Sequence, residues 1–394
     1  MTLETTVHDP AEAGMSRARL DDAAALMRRQ FDTGRSPMLA AMVARHGTVV
    51  FTETLGDQRP GGPAVTVDSV FPIASLSKPM TAAVVLALAE RGLIGINEPA
   101  ALTLPEMADD HGDVLVAHLL THTSGWHDDD QAAALDAGID AALASVPAGR
   151  DPLTHIMLAS GWAVPRRNRP GEVMAYGNFN YSVLGELVRR VTGGTLGAAA
   201  QEYLFDPLGM THSCVALPDR LRPHLIERPP GIPFGPDHPG DKISFGDPRW
   251  EASDDGASGF YSSVTDMTRF FQMLLDDGRA GNERVLSRGA VRAMTTNRIP
   301  DTPTEAMGQV HREAAWGFGF ALPSGEKWKQ FGGGTVSPRS ASHGGAGGIG
   351  GWVDFEHGIA ASYVEIITEV DEFHVPLSWA ANRFEDVITS AVLL

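Results

Sequence analysis

Apolar residues recur at helical spacing near the N-terminus and then alternate with polar ones. Residues 16–31 carry an apolar face with a period near 3.6, which predicts an amphipathic helix. That face consists of Leu20, Ala24, Met27 and Phe31. Two apolar runs, residues 38–44 and 49–55, stand on either side of a His-Gly turn and predict a β-hairpin.

The middle of the chain is mainly helical in pattern. Residues 75–91 are apolar on every side, which is typical of a helix buried in a larger core. Further helical patterns lie at 114–120, 131–143, 181–192, 196–204 and 264–276. Residues 227–250 are rich in proline and glycine and predict a long surface loop.

Strand patterns return near the C-terminus. Glycine dominates residues 331–351, and the apolar runs 352–355 and 359–368 predict two strands. An amphipathic helix is predicted over residues 377–392. Because strands lie near both ends of the chain and helices lie between them, we expect the two ends to share one sheet.

Composition narrows the classes of function. The chain has 394 residues, of which 43% are hydrophobic and 20% charged, as in ordinary globular proteins. Its net charge of −18 disfavours nucleic acids and anionic membranes as partners. Cys214 is the only cysteine, which excludes an internal disulfide and a cysteine-based zinc site. Apolar runs stay below the roughly 18 residues that span a bilayer, and residues 1–14 lack a signal-peptide pattern, so we expect a cytoplasmic protein.

The first candidate for chemistry is a serine followed three residues later by a lysine. Two of the four lysines fit this spacing, in Ser75-x-x-Lys78 and Ser324-x-x-Lys327. Ser324 lies in a Pro-Gly turn, where chance explains the spacing. Ser75 lies where an extended run meets the buried helix, so Lys78 would stand one turn above it, and a desolvated lysine can activate a serine hydroxyl. The alternative is a capping serine beside a surface lysine.

Two further motifs follow along the chain. Tyr176-Gly177-Asn178 lies between a Pro-Gly turn and a helix, and His343-Gly344-Gly345-Ala346 precedes a strand. Each has an ordinary structural explanation when taken alone. The order of all three motifs is far more specific than any one of them.

In this order the motifs resemble those of the serine β-lactamase-like and penicillin-binding-protein-like hydrolases. This group includes class C β-lactamases, DD-peptidases and family VIII carboxylesterases, and the last are closest in pattern. The resembling segments are 71–79, 119–125, 176–185, 207–210, 258–263 and 316–319. The resemblance implies an α/β fold: an antiparallel sheet flanked by N- and C-terminal helices, and a mostly helical domain, with the active site between them. Residues 1–74 and 310–394 would form the sheet domain, and residues 75–309 the helical domain.

The resemblance also implies a role for each motif residue. Ser75 would attack an acyl carbon, and Lys78 and Tyr176 would share the base role, the lysine charge lowering the pKa of the phenol. Asn178 would hold the lysine and the acyl side of the substrate. The backbone N–H groups of Ser75 and Ala346 would form the oxyanion hole, and neither a metal nor a cofactor is implied.

The third motif departs from the lactamase pattern. Lactamases have Lys-Thr-Gly there, and the lysine and the threonine hydroxyl help to bind the drug's carboxylate. His343 is mostly neutral near pH 7, and Gly344 has no hydroxyl. We therefore expect the substrate-binding residues His343, Gly344 and Gly345 to suit an uncharged small-molecule ester, which predicts a carboxylesterase for short acyl chains.

Other clusters have two interpretations each. His118 and His122 have a metal-like spacing, but the glutamate of zinc peptidases is absent, and His122 belongs to a turn that the resemblance marks as structural. The segment 127–130, His-Asp-Asp-Asp, is either a solvated acidic loop or a negative rim that attracts cationic substrates. Trp126 and Trp352 either wall the substrate pocket or are ordinary core or rim residues, and Trp352 is the one favoured for the pocket because it is nearest in sequence to the third motif.

Alternative functions use the same scaffold. An amide hydrolase such as a D-aminopeptidase, or an acyltransferase, would form the same acyl-enzyme and differ in pocket shape and water access. A β-lactamase is less favoured because of the third motif. A non-catalytic binding protein has no physical reason to keep Ser75, Lys78 and Tyr176 in this order.

Overall fold

The computed structural model describes residues 3–237, 243–306, 309–324, 332–369 and 380–393. The helices are α1 (Arg17–Asp32), α2 (Ser77–Ala89), α3 (Ala108–His111), α4 (Val116–Leu120), α5 (Asp128–Ala144), α6 (Pro152–Trp162), α7 (Asn178–Thr192), α8 (Leu196–Ala200), α9 (Asp206–Leu208), α10 (Pro248–Glu251), α11 (Val264–Leu275), α12 (Arg288–Thr295) and α13 (Ala381–Ser390). The strands are β1 (Leu39–Arg45), β2 (Thr48–Leu55), β3 (Phe71–Pro72), β4 (Met174–Ala175), β5 (Cys214–Val215), β6 (Phe260–Ser262), β7 (Arg279–Ala280), β8 (Glu283–Arg284), β9 (Thr304–Ala306), β10 (Gln309–His311), β11 (Ser340–Gly345), β12 (Ile349–Asp354) and β13 (Ile359–Glu365).

The main sheet joins the two ends of the chain. Its strand order is β11-β12-β13-β1-β2, and all neighbouring strands are antiparallel. Leu39 of β1 pairs with Glu365 of β13, and Arg45 pairs with Ile359. The predicted α/β class with an antiparallel sheet is therefore confirmed. The domain division at residues 74/75 and 309/310 stays a prediction.

The two faces of this sheet belong to different cores, because successive strand residues point to opposite sides. On β1 the outer face carries Leu39, Ala41 and Val43, and the inner face carries Ala40, Met42 and Ala44. The outer residues pack against the flanking terminal helices α1 and α13, and the inner ones join the large core shared with the central helices.

The helix α11 packs closely on the inner face of the sheet. A β-carbon at Gly351 would stand 2.3 Å from the Phe271 ring, so a larger residue there would push the helix away. The Thr268 and Ser362 hydroxyls lie 2.6 Å apart, and Ser362 also donates to the Val264 carbonyl at 3.1 Å. This close packing and these buried hydrogen bonds together fix the distance between α11 and the strands β12 and β13.

The helix α2 is enclosed on all sides, as its sequence predicts. Every residue from Ser77 to Leu88 is buried, and α7, α8 and α12 surround the helix. The short strand β3 precedes it and pairs with β6, so the entry to the helix is tied to a second, small sheet. The first residues of α2 therefore have a fixed position relative to the main sheet.

Several segments differ from the prediction. Residues 340–351, predicted as a glycine-rich stretch ahead of the strands, form β11 and the first half of β12, because strand pairing needs only the main chain. The helices α6 and α12 were not predicted, although Asp151 caps α6 by accepting from the Thr154 N–H at 2.8 Å. Residues 325–327 of the second serine-lysine motif, and 377–379 of the predicted C-terminal helix, lie outside the described residues.

Within the described part of the chain, every helix is too short or too polar to cross a membrane.

Trp352 lies on the outer face of the sheet. It is 2% exposed, and its ring centroid is 6.0 Å from that of Phe384 in α13. The prediction that Trp352 walls the substrate pocket is wrong. The register of β12 that turns Gly351 toward α11 necessarily turns Trp352 to the opposite side.

We expect Trp352→Ala to lower the free energy of unfolding by about 3–5 kcal/mol, because a large ring in a closed core is replaced by a cavity. Equilibrium denaturation in urea measures this value. The matched control is Leu102→Ala, at a side chain that is 72% exposed, which should change stability by no more than about 0.5 kcal/mol. A loss as small as that of the control would contradict the placement of Trp352.

Candidate active site

Ser75 lies in a single 3₁₀ turn, Ala74–Leu76, that leads directly into α2. The Ile73 N–H donates to the Phe260 carbonyl at 3.0 Å, so the turn is held from its N-terminal side. Ala74 has a φ of +45°, an uncommon conformation for a residue with a β-carbon. Strain of this kind persists where surrounding structure enforces it, and it is frequent at functional sites.

Lys78 stands one turn above Ser75, and its side chain is fully buried. Its Nζ lies 2.9 Å from the Ser75 Oγ. The same nitrogen donates to the Asn178 Oδ1 at 2.8 Å and to the Ala257 carbonyl at 3.1 Å. The structure thus brings together three of the residues that the motifs singled out, Ser75, Lys78 and Asn178.

The amine of Lys78 is poised between its two protonation states. Burial lowers its pKa to about 8, while the negative charges of Asp128 and Asp255 act in the opposite direction. A substantial fraction of the amine is therefore neutral at mildly alkaline pH. A neutral amine within 3 Å of a hydroxyl is able to accept the hydroxyl proton.

Tyr176 is held beside this pair by the backbone and ring of His122. The His122 carbonyl accepts from the Ala175 N–H at 2.9 Å, and its Nδ1 accepts from the Gly177 N–H at 3.2 Å. The two rings lie 4.5 Å apart. The Lys78 Nζ is 5.1 Å from the centre of the tyrosine ring. His122 therefore binds Ala175 and Gly177, the residues on both sides of Tyr176, and so fixes the position of the tyrosine.

The protonation state of Tyr176 differs from the expectation. Burial raises the pKa of its phenol above the ordinary value. A hydrogen bond with Ser75 lowers the same pKa, but by a smaller amount, so the net shift is upward. The predicted lowering of the phenol pKa by Lys78 is therefore wrong for the resting site. Tyr176 is a neutral proton donor at physiological pH, and Lys78 is the better base.

His343 is fully buried and uncharged. Its Nδ1–H donates to the Gly344 carbonyl at 2.6 Å. Burial, and secondarily the charge of Lys78, lowers its pKa to about 3. Its ring centroid lies 6.0 Å from that of Tyr176 and 5.8 Å from that of Trp316. This position therefore presents a neutral imidazole to the site throughout the physiological pH range.

The end of β11 approaches the serine turn very closely. A β-carbon at Gly345 would stand 2.3 Å from the Ile73 carbonyl oxygen, so only glycine permits this approach. Ala346 follows at once and is exposed. The Ser75 N–H belongs to the first turn of a helical segment, where N–H groups lack an intrahelical acceptor. The arrangement suits an oxyanion hole formed by Ser75 and Ala346, which stays a prediction.

One other sequence expectation needs correction. Trp126 is 1% exposed, packs against the Phe179 ring at 4.8 Å and donates from its Nε1 to the Val164 carbonyl at 3.1 Å. It is a core residue of the helical part and not a pocket wall. His118 and His122 each have a separate structural partner, since the His118 Nδ1 accepts from the Leu115 N–H at 3.1 Å.

The acidic segment 127–130 is not a solvated loop. It starts α5, and its residues have separate partners: the Asp128 carboxylate accepts from the Asn178 N–H and Nδ2–H, at 2.9 Å each. Asp130 binds Arg167 through both carboxylate oxygens, at 2.6 Å each. Asp128 therefore supports the site from one side, whereas Asp130 pairs away from it.

Sequence reasoning missed four contributors to this site: Asp128, Asp255, Trp316 and the positioning contacts of His122. Asp128 lies 50 positions before Asn178, and no local spacing signals their contact. The short segment around Trp316 was noticed for its resemblance, but nothing in it indicated that the ring faces Tyr176.

Comparison with known proteins agrees with this geometry. The family model for beta-lactamase matches residues 23–366. Protein Rv1367c of Mycobacterium tuberculosis is 28% identical over 266 residues, which make up 59% of this chain and 61% of that protein. The chain thus spans about three fifths of the length of this relative. Esterase EstB of Burkholderia gladioli is 29% identical over 316 residues, covering 71% of this chain and 73% of the esterase.

Solved structures share the architecture. The crystal structure of a family VIII carboxylesterase is similar with a TM-score of 0.68, covering 94% of this chain and 99% of the other. The two sequences are 22% identical, so the likeness concerns the fold.

We expect the rate at which a fluorophosphonate labels Ser75 to rise with pH around a midpoint near 8, because only the neutral Lys78 amine accepts the serine proton. Mass spectrometry of the labelled peptide between pH 6 and 9.5 measures the rate. Lys78→Met should slow labelling by about 10²-fold or more, and Ser75→Ala should abolish it. A wild-type rate independent of pH would contradict the role given to Lys78.

Proposed function

The chain belongs to the beta-lactamase family, and from that premise we propose that it forms an acyl-enzyme on Ser75 and acts as a carboxylesterase on short-chain, uncharged acyl esters. The observation that carries the choice of substrate is the neutral His343, next to Gly344, at the position of the lactamase Lys-Thr pair. Two similar proteins, EstB and the family VIII carboxylesterase, are esterases by name.

In the proposed acylation step, the Ser75 Oγ bonds to the ester carbonyl carbon while its proton passes to the neutral amine of Lys78. The N–H groups of Ser75 and Ala346 donate to the oxyanion that develops. Tyr176 then gives its phenolic proton to the departing alcohol oxygen, and Lys78 returns a proton to the phenolate. The carbon–oxygen bond of the ester breaks, and the acyl group stays on Ser75.

Deacylation reverses the proton movements with water as the nucleophile. The water proton passes to Tyr176 as Tyr176 passes its phenolic proton to the neutral amine of Lys78, and the water oxygen bonds to the acyl carbon. Lys78 then returns a proton to the Ser75 oxygen as the bond between that oxygen and the acyl carbon breaks and the acid leaves. An alcohol that enters in place of water would give a new ester. Transfer to an acceptor is therefore an outcome of the same site and depends on which nucleophile reaches the acyl group first.

The electrostatic environment supports an uncharged substrate. A carboxylate beside His343 would lose hydration without gaining a cationic partner from that residue, and an unpaired buried charge is costly. Gly344 offers no hydroxyl to replace the lost hydrogen bonds. A neutral ester incurs no such penalty. Anionic β-lactams and peptidoglycan termini are therefore poorer substrates in this proposal.

The partner in this proposal is a small-molecule ester, and the location is the cytoplasm. The net charge of −18 repels nucleic acid and anionic membrane surfaces, which supports a freely diffusing substrate.

We expect the wild type to hydrolyse p-nitrophenyl butyrate, Ser75→Ala to lose at least about 10³-fold in kcat/KM, and nitrocefin to be spared. Absorbance assays of both compounds measure this. Ser324→Ala, the serine of the second serine-lysine spacing, is the matched control and should retain activity. Added methanol separates hydrolysis from transfer through the products. Rapid nitrocefin cleavage, or full activity in Ser75→Ala, would contradict the proposal.

A pair of esters matched in size but different in charge tests the role of the third motif. We expect kcat/KM for the butyryl ester of 3-hydroxybenzamide to exceed that for the butyryl ester of 3-hydroxybenzoate by about tenfold or more, because the second carries a carboxylate of similar size. The double variant His343→Lys with Gly344→Thr should narrow the ratio. Equal rates for the wild type would show that charge is not what selects the substrate.

A further inference from the structure

Each of the two acceptors that fix Lys78, other than Ser75, is itself held by an aspartate. The first acceptor is the Asn178 Oδ1. The Asn178 N–H and Nδ2–H both donate to Asp128, at 2.9 Å each, so the amide is turned with its oxygen toward the lysine. A flipped amide would direct its N–H donors at the ammonium group and lose the Nδ2–H bond to Asp128.

The second acceptor is the Ala257 carbonyl, and Asp255 holds the turn that carries it. The fully buried Asp255 carboxylate accepts from the Ala257 and Ser258 N–H groups and the Ser258 hydroxyl, at 3.0 Å each. It also accepts from the Ser182 hydroxyl at 2.5 Å. Every partner is a donor, which is the environment that satisfies an ionised carboxylate.

We propose that Asp128 and Asp255 are positioning residues for proton transfer at Ser75: they orient both acceptors of Lys78, and their charges balance the cost of burying its ammonium form. This inference rests on the proposed function, in which Lys78 takes and returns the serine proton.

The balance matters because Lys78 must act in both directions. Burial alone would lower the pKa of the amine so far that the ammonium form, which arises when Lys78 takes the serine proton, would be unstable. The two carboxylates oppose this by raising the pKa of Lys78. The other titratable groups facing the amine are Tyr176, Tyr181, His122 and His343, and burial favours the neutral form of each.

The chain contains a matched control for each carboxylate. Asp130 lies on the same first turn of α5 as Asp128, but it pairs with Arg167 at the surface. Asp254 precedes Asp255 and is also well buried, but it accepts from the Leu196 and Gly197 N–H groups of α8, at 2.8 Å each. Both controls remove a carboxylate close in sequence without touching an acceptor of Lys78.

The experiment compares Asp128→Asn and Asp255→Asn with Asp130→Asn and Asp254→Asn. The readout is the pH dependence of Ser75 labelling by a fluorophosphonate, with kcat/KM for p-nitrophenyl butyrate in parallel. A carboxylate favours the ammonium form, so its removal lowers the pKa of Lys78 and lets the neutral amine persist to lower pH. We expect the acid limb of both profiles to move down by roughly one pH unit in the first two variants.

The controls and conservative variants separate charge from structure. Asp130→Asn and Asp254→Asn should keep the wild-type limb, and Asp254→Asn should lower the melting temperature because the first two N–H groups of α8 lose their charged acceptor. Asp128→Glu should restore the limb even if the rate stays low, since the charge is retained. If Asp255→Asn does not fold, the acid limb of the Asp128→Asn profile decides between the two roles, because Asp128 is only partly buried as a residue and its replacement is more readily tolerated.

Failure of the inference is distinguishable from failure of the proposed function. Suppose that the wild type is labelled at Ser75, while the aspartate variants lose activity but keep the acid limb of the wild-type pH profile. Both aspartates would then have only a structural role, and the inference alone would be overturned. Labelling without ester hydrolysis would overturn the substrate class and leave the inference intact. A wild-type protein that is not labelled at Ser75 would overturn both.

Discussion

The burial of one lysine amine is the constraint on which the rest of the site depends. Lys78 is fully enclosed, yet its nitrogen keeps three oxygen partners, from a serine, an amide and a main-chain carbonyl. Removing an amine from water is tolerated only when such partners replace the lost hydration. The helices α2 and α7 and the loop before β6 must therefore meet at fixed distances, and the closely packed central core keeps them there.

The approach of the sheet to the serine turn is the second requirement. Glycines meet this requirement, because the absence of a side chain lets the main chain approach its neighbours closely. Gly345 lets β11 come against the Ile73 carbonyl, and Gly351 lets β12 come against Phe271. Gly345 therefore makes one edge of the site from main chain alone, and Gly351 lets the sheet lie close to α11 behind it. Main-chain N–H groups held by a rigid strand and a short helix keep their orientation when charge develops, which is the property of an effective oxyanion hole.

The site also retains unfavourable features that a structure selected for stability alone would lack. Ala74 has a left-handed backbone, and the Lys78 amine is desolvated. The strained backbone costs of order 1–3 kcal/mol, and the extensive apolar cores on both faces of the sheet offset it. His122 and Trp316 add rings that fill the space around Tyr176, so the phenol stays dry and protonated.

Much of the fold followed from local patterns. The buried helix, the N-terminal hairpin and the sharing of one sheet by both chain ends are periodic features that side-chain spacing encodes directly. The unpredicted β11 is glycine-rich, so its strand character comes from main-chain pairing and leaves no side-chain pattern. The helices α6 and α12 were missed because short amphipathic segments give a weak periodic signal.

The proximity of Ser75 and Lys78 follows from their spacing alone, because residues three apart on a helical turn face the same way regardless of the rest of the chain. Three other features appear only when the chain is folded: Asp128 holds Asn178 across 50 positions, burial keeps Tyr176 neutral, and Trp352 faces away from the site. These outcomes depend on solvent exclusion and on the register of strands. Both properties arise when distant segments meet, and no local spacing contains them.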